Sequence, residues 1–159
     1  MDDVRRRSSL TSSSRSSTLA IPVEEGWVRL AAAGAEPRWY VDAAPLRFRG
    51  LVDRLVGGGG RRWPVPEHPL LRAGDRAGFW HVVEADRRAR RLVLVADVRS
   101  PGRVELTSTL RARSTGCTLT QTVRLAPQGL VGAAYLLADL PAREAVVELT
   151  HRRTRTELG

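Results

Sequence analysis

The chain has 159 residues, 26 arginines and no lysine against 17 acidic side chains, and a formal net charge of +9. This length suffices for one domain with its own core, the one cysteine excludes an internal disulfide, and no apolar run reaches the ~18 to 20 residues of a membrane span. With no export signal visible in the sequence, a soluble protein in a reducing, cytoplasmic setting is the expectation. A charge of +9 raises nucleic acid as a partner, but the arginines are scattered, with no basic recognition helix and no aromatic stacking platform. An all-arginine composition rich in Ala, Gly, Val and Leu instead reflects a GC-rich coding sequence, so nucleic acid is not the expected partner.

Residues 1–18, with Arg5-Arg6-Arg7 and a run of serines, lack the apolar core of an export signal and read as a disordered, solvated Ser/Arg-rich tail. The alternative is a phosphorylatable or acid-binding arm. Residues 19–159 form the predicted domain. A short first strand is expected over 18–23. Pro22 with Glu24-Glu25 then opens a helix in which Val23, Trp27 and Leu30 recur at helical spacing before Gly34. A second helix is expected over 46–56, stopping at Gly57-Gly58-Gly59-Gly60, and the Pro-rich stretch 63–69 reads as extended.

From Gly74-Asp75 onward the pattern has period two. Trp80 and Val82, then Leu92, Leu94 and Ala96, then Val104, Leu106, Ser108 and Leu110, and finally Leu119, Gln121, Val123 and Leu125 share one apolar face. Turn chemistry at Pro101-Gly102 and Ser114-Thr115-Gly116 makes these runs an antiparallel meander. After Pro127-Gln128-Gly129 a helix is expected over 128–157, with Leu130, Ala134, Leu137, Pro141, Ala145 and Leu149 on its buried stripe and a kink at Pro141. The predicted class is α+β, a curved antiparallel sheet wrapped around a long C-terminal helix. Such a wrap hides both apolar faces at once and often encloses a cavity.

The run from Arg49-Gly50-Leu51-Val52-Asp53 to Gly57-Gly58, then Gly74-Asp75, Phe79-Trp80, Pro101-Gly102-Arg103, Leu119-Thr120-Gln121-Thr122 and Pro127-Gln128-Gly129-Leu130 with Tyr135, resembles the domain-of-unknown-function family 2867. That family resembles a branch of the SRPBCC superfamily, which includes START lipid carriers and birch-pollen-type allergens. The resemblance implies a helix-grip fold over nearly everything from Ile21 onward. It supplies no catalytic residue. Some relatives are fused to NAD(P)-binding epimerase-like domains, which implies a separate NAD(P)-binding oxidoreductase or epimerase as a possible partner and no dinucleotide site in this chain. The sequence departs from the family pattern at Gly78, Leu136 and Arg143, where an acidic residue, a second aromatic and a histidine are common.

The candidate cavity is lined by Trp80, Val82, Leu94, Ala96, Leu106, Ser108, Leu119, Gln121 and Val123, with Tyr135 approaching from the helix. Apolar walls with a few polar groups suit a small hydrophobic or amphipathic molecule. Gln121 is the sharpest of these, because an amide on an apolar face must find partners. Those partners are either a ligand or the protein's own backbone and buried water. Arg61 and Arg62 are candidate anion contacts at the cavity mouth, although the glycine run before them matches no phosphate-binding motif.

His68, His81, His151 and Cys117 lack metal-ligand spacing, so neither metal nor cofactor is expected. No Gly-x-Ser-x-Gly elbow is present and the serines cluster in the tail, which argues against an activated serine. Of the carboxylates Asp53, Glu84, Asp97 and Glu105, period two places Asp97 and Glu105 on the outer face. Ligand binding is therefore the leading reading. A cyclase- or dehydratase-like enzyme is the first alternative, and an interaction module with a filled core and a basic surface the second.

Overall fold

Alternation of buried and exposed side chains decides which face of each strand turns inward, and in the computed structural model it does so over one continuous sheet. The structure describes residues 5–9, 11–34, 39–42, 66–96, 102–127 and 129–159. In chain order the elements are β1 (Arg5–Ser8), β2 (Ser12–Leu19), α1 (Val23–Leu30), α2 (Trp39–Asp42), β3 (Arg76–Ala77), β4 (Trp80–Asp86), β5 (Arg91–Ala96), β6 (Gly102–Ala112), β7 (Cys117–Pro127) and α3 (Gly129–Leu158). The strands form a seven-stranded antiparallel sheet in the order β1-β2-β7-β6-β5-β4-β3. The long C-terminal helix α3 packs on β2 and β7 and also meets α1 and α2. No helix among the described residues is long and apolar enough to cross a membrane.

The meander β4 to β7 has the phase expected from its sequence: Val82, Leu94, Leu106, Leu110, Leu119 and Val123 are all buried in one core cluster with Trp27 and Leu30 of α1. A bulge between Val82 and Glu84 shifts the register of β4 on β5. The bulge leaves Val83 exposed while Ala85, opposite Leu92, returns to the core side. Between β6 and β7 the expected tight loop closes with Arg113 N–H donating to Gly116 O at 3.0 Å. Gly116 has φ of +84°, and a Cβ there would stand 2.0 Å from the carbonyl oxygen of Leu19, so the hairpin passes the end of β2 at a distance only glycine permits.

Two expectations are corrected. The segment read as a disordered tail supplies two strands: β2 begins at Ser12, not near residue 18, and pairs with β7 over its whole length, while β1 forms the sheet edge beside it. Composition pointed to disorder because serine and arginine bury little apolar surface. Here their polar atoms find fixed partners instead. Outward Ser14 and Ser16 meet the hydroxyls of Thr122 and Thr120 at 2.9 and 2.8 Å, and inward Ser13, Arg15 and Ser17 are buried against α3.

The second correction concerns α3. Ala145 and Leu149, assigned from sequence to its buried stripe, are exposed, and among the described side chains of α3 the buried positions are Arg143, Val147, Thr150, His151, Thr154 and Leu158, while the side chains of Leu130, Ala134, Leu137 and Pro141 lie outside the described set. Hydropathy rotated the helix the wrong way because the side that meets the sheet is largely polar. The helix runs continuously through Pro141. Its C-terminal carbonyl at Leu158 accepts a 2.8 Å bond from the Arg29 guanidinium of α1, a cation at the negative end of the helix dipole. The predicted helix over 46–56, its glycine stop, and Arg61 and Arg62 lie outside the described residues.

Candidate functional site

Three strands and one helix bring polar side chains together on the inner face of the sheet. Arg15 and Gln121 are register partners on β2 and β7, as are Ser17 and Leu119, and Ser108 of β6 stands opposite Gln121. The turns of α3 that carry Glu144, Glu148, His151 and Thr154 lie over this patch. Gln121 is fully buried, and its Nε2 donates to Ser108 Oγ and Thr154 Oγ1, both at 3.1 Å. The hydroxyl of Thr154 in turn donates to the carbonyl of Thr150 at 2.8 Å.

With both amide protons of Gln121 used, its Oε1 accepts from His151 Nδ1–H at 3.0 Å. That assigns the tautomer of His151: Nε2 carries the lone pair and accepts the Ser17 hydroxyl at 2.9 Å. Burial, reinforced by the charge of Arg155 and only partly opposed by Glu148, lowers the pKa of His151 from 6.5 to about 4. The ring is therefore neutral at pH 7, as the two hydrogen bonds require.

Beside this relay Arg15, almost fully buried, donates from Nε to Glu148 at 2.8 Å, from one terminal nitrogen to Glu144 at 2.6 Å and from the other to the Ser14 carbonyl at 3.0 Å. Burial works against its charge, but the two carboxylates outweigh that cost and raise its pKa further. The bond from Arg15 holds Glu148 below the usual carboxylate range, against its own partial burial and with help from Arg152. One helical turn back, Arg143 donates to Ser13 Oγ at 3.1 Å and to the Ser9 carbonyl at 2.9 Å. Every inward polar side chain of β2 is thus tied to α3.

Ser17, His151 and Gln121 follow the order of a serine hydrolase relay, yet three features set them apart from one. A base with a pKa near 4 takes up a proton poorly at neutral pH. Gln121 brings no negative charge to stabilise an imidazolium. All three side chains are buried, Ser17 at 4% exposure included. This arrangement fastens β2 and β7 to α3.

The sequence candidates fall into two groups. Trp80, Val82, Leu94, Leu106, Leu119 and Val123 share the buried apolar surface, with Ala96 partly buried against it. Trp80 Nε1 donates to the carbonyl of Tyr40 at 2.6 Å and Trp39 Nε1 to that of Leu30 at 3.0 Å, which joins β4 and α1 to the aromatic turn of α2. Ser108 and Gln121 belong to the polar network, where neither Gln121 amide proton is left for another acceptor. Tyr135 lies in the part of α3 whose side chains fall outside the described set.

Sequence reasoning missed Ser13, Arg15, Ser17, Arg143, His151 and Thr154. The available signal was the recurrence of 143, 147, 150, 151, 154 and 158 at helical spacing on α3, facing alternate polar residues of 12–19.

A family model described as a protein of unknown function, DUF2867, matches residues 10–150. The chain belongs to this family. The matched span opens two residues before β2, so the DUF2867 domain includes that strand and most of α3. No curated protein matches the DUF2867 chain. Among solved structures it is similar to a Rhodobacter sphaeroides protein at 17% identity and a TM-score of 0.54, covering 98% of this chain and 97% of that one. A Nitrosomonas europaea protein is similar at 14% identity and a TM-score of 0.53, covering 96% of each chain. At these identities the likeness shows a shared α+β fold. Among the described residues of the DUF2867 chain no group of three His, Cys, Asp or Glu side chains could hold a metal ion.

Proposed function

We propose that this protein binds one small apolar or amphipathic molecule between the inner face of its sheet and α3, as a helix-grip member of the SRPBCC superfamily. The observation that carries this reading is the division of the inner face. Polar groups are gathered at the β2, β7 and α3 side, while Trp80, Val82, Leu92, Leu94 and Leu106 make the β4 to β6 side apolar. A network that fastens one side of the sheet to the helix leaves the other side to differ in what it holds. Because the Gln121 amide and His151 are already engaged, selection there rests on shape and apolar contact more than on polar readout.

Native mass spectrometry of freshly purified protein tests this directly. The expected result is a small-molecule adduct that is released on denaturation. A companion measurement uses Leu94→Trp, which fills space on the apolar wall. If a ligand space exists, the variant stays folded and loses the adduct. An unliganded wild-type mass, together with a Leu94→Trp variant that cannot fold, would mean a filled core and would sink the reading.

A further inference from the structure

The end of the proline-rich stretch carries a histidine, His68, that the buried network does not reach. Residues 69–71 are pinned to the end of α1, with Ala33 N–H donating to the Pro69 carbonyl at 2.9 Å and Leu71 N–H to the Ala31 carbonyl at 2.8 Å. The chain then turns at Gly74, and Asp75 closes the turn: its Oδ2 accepts the Arg72 N–H at 2.7 Å. The turn is fastened to β4 at Val82, through Gly74 N–H to the Val82 carbonyl at 2.8 Å and Val82 N–H to the Asp75 carbonyl at 2.9 Å. Val82 itself belongs to the apolar wall.

The other carboxylate oxygen of Asp75 lies 3.3 Å from His68 Nε2. That negative charge favours the ring proton on Nε2 and leaves the lone pair on Nδ1. Nδ1 is buried and has no hydrogen-bond partner among the described residues. A buried acceptor with no donor among these residues is a place that a donor from outside the chain would satisfy.

We infer that His68, oriented by Asp75, accepts a hydrogen bond from the hydroxyl of an uncharged amphipathic ligand whose apolar body lies along the wall that starts at Val82. This rests on the ligand-binding reading above and adds the class of head group. A carboxylate or phosphate head is disfavoured, because the lone pair on Nδ1 and the charge on Asp75 both repel it. Asp75 is a positioning residue, and His68 is the contact.

Two measurements on the full chain test this. Ring ¹⁵N shifts of His68 in the unliganded protein at neutral pH should show the proton on Nε2, and Asp75→Asn should shift that balance; a ring protonated mainly on Nδ1 overturns the inference with no ligand involved. Binding is then compared for decanol, decyl methyl ether and decanoate. Decanol should bind about tenfold tighter than the ether, which cannot donate. The ratio should fall to about one in both His68→Phe and His68→Leu, neither of which can accept a hydrogen bond, and the second guards against a packing effect of the first. A decanol-to-ether ratio unchanged by these variants, or decanoate binding tighter than decanol, overturns the inference and leaves the ligand-binding reading standing. Failure of all three amphiphiles to bind overturns both.

Discussion

The Ser17 hydroxyl lies 2.9 Å from His151 Nε2, so a strand built from the Ser/Arg-rich first segment is hydrogen-bonded to the C-terminal helix through a neutral, buried imidazole. Through Nδ1 the same ring reaches Gln121 at 3.0 Å, so His151 touches both β2 and β7 from α3 by hydrogen bonds at its two nitrogens.

Acid should loosen this junction. The folded pKa of His151 is about 4 against 6.5 for the free side chain, so between those values the unfolded chain takes up a proton that the folded chain refuses. The stability contributed by the neutral ring is complete above pH 6.5 and falls as pH drops toward 4, by on the order of 3 kcal/mol. Urea midpoints of wild type and His151→Gln, measured at pH 7 and pH 4.5, should show the steeper loss in wild type; parallel losses would refute this account. Gln121→Glu is the mirror test, since a carboxylate at Nδ1 should raise the imidazole pKa in an NMR titration.

Arg15→Met keeps the length of the side chain but leaves Glu144 and Glu148 facing β2 with no cation from it. Removing one partner of a buried ion pair costs about 3 to 5 kcal/mol, and because both glutamates keep some solvent contact the loss here should fall near the lower end. Equilibrium denaturation gives the number, and a loss below about 1 kcal/mol would mean that Arg15 behaves as a surface charge.

Truncation separates the two N-terminal strands. Deleting residues 1–8 removes the edge strand β1 and should leave a folded protein, because β2 remains paired with β7. Deleting residues 1–19 strips Ser13, Arg15, Ser17 and Leu19 from the interior and should abolish cooperative unfolding. A cooperative transition in the longer deletion would restore the view of this segment as a dispensable tail.

Gly116→Ala should be severely destabilising, by about 3 kcal/mol or more, because the added methyl meets backbone that cannot swing aside and φ is positive. Gly74→Ala is the control: φ there is also positive, at +96°, but no atom lies within 4 Å of the new Cβ. A smaller loss of about 1 kcal/mol is expected for it from thermal melts. Equal losses at the two positions would remove the steric part of the argument.

The meander was legible from residue identity alone. Leu106, Leu119 and Val123 alternate with polar neighbours, and in a pleated strand a period of two can mean only two faces, one of which must leave water. A helix after Gly129 was equally plain, as was the glycine at 116, since the tight loop there needs a positive φ. The burial of Arg15, Ser17, His151 and Thr154 was not written in any one stretch of chain. Each is polar and by itself belongs in solvent, and each is inside only because a complementary group from a distant segment meets it at hydrogen-bond distance. Hydropathy sums one residue at a time, so it read 1–18 as a tail and turned α3 by the wrong face. Pairing between β2, β7 and α3 is a property of the folded arrangement, and that arrangement alone decided which polar side chains the core would accept.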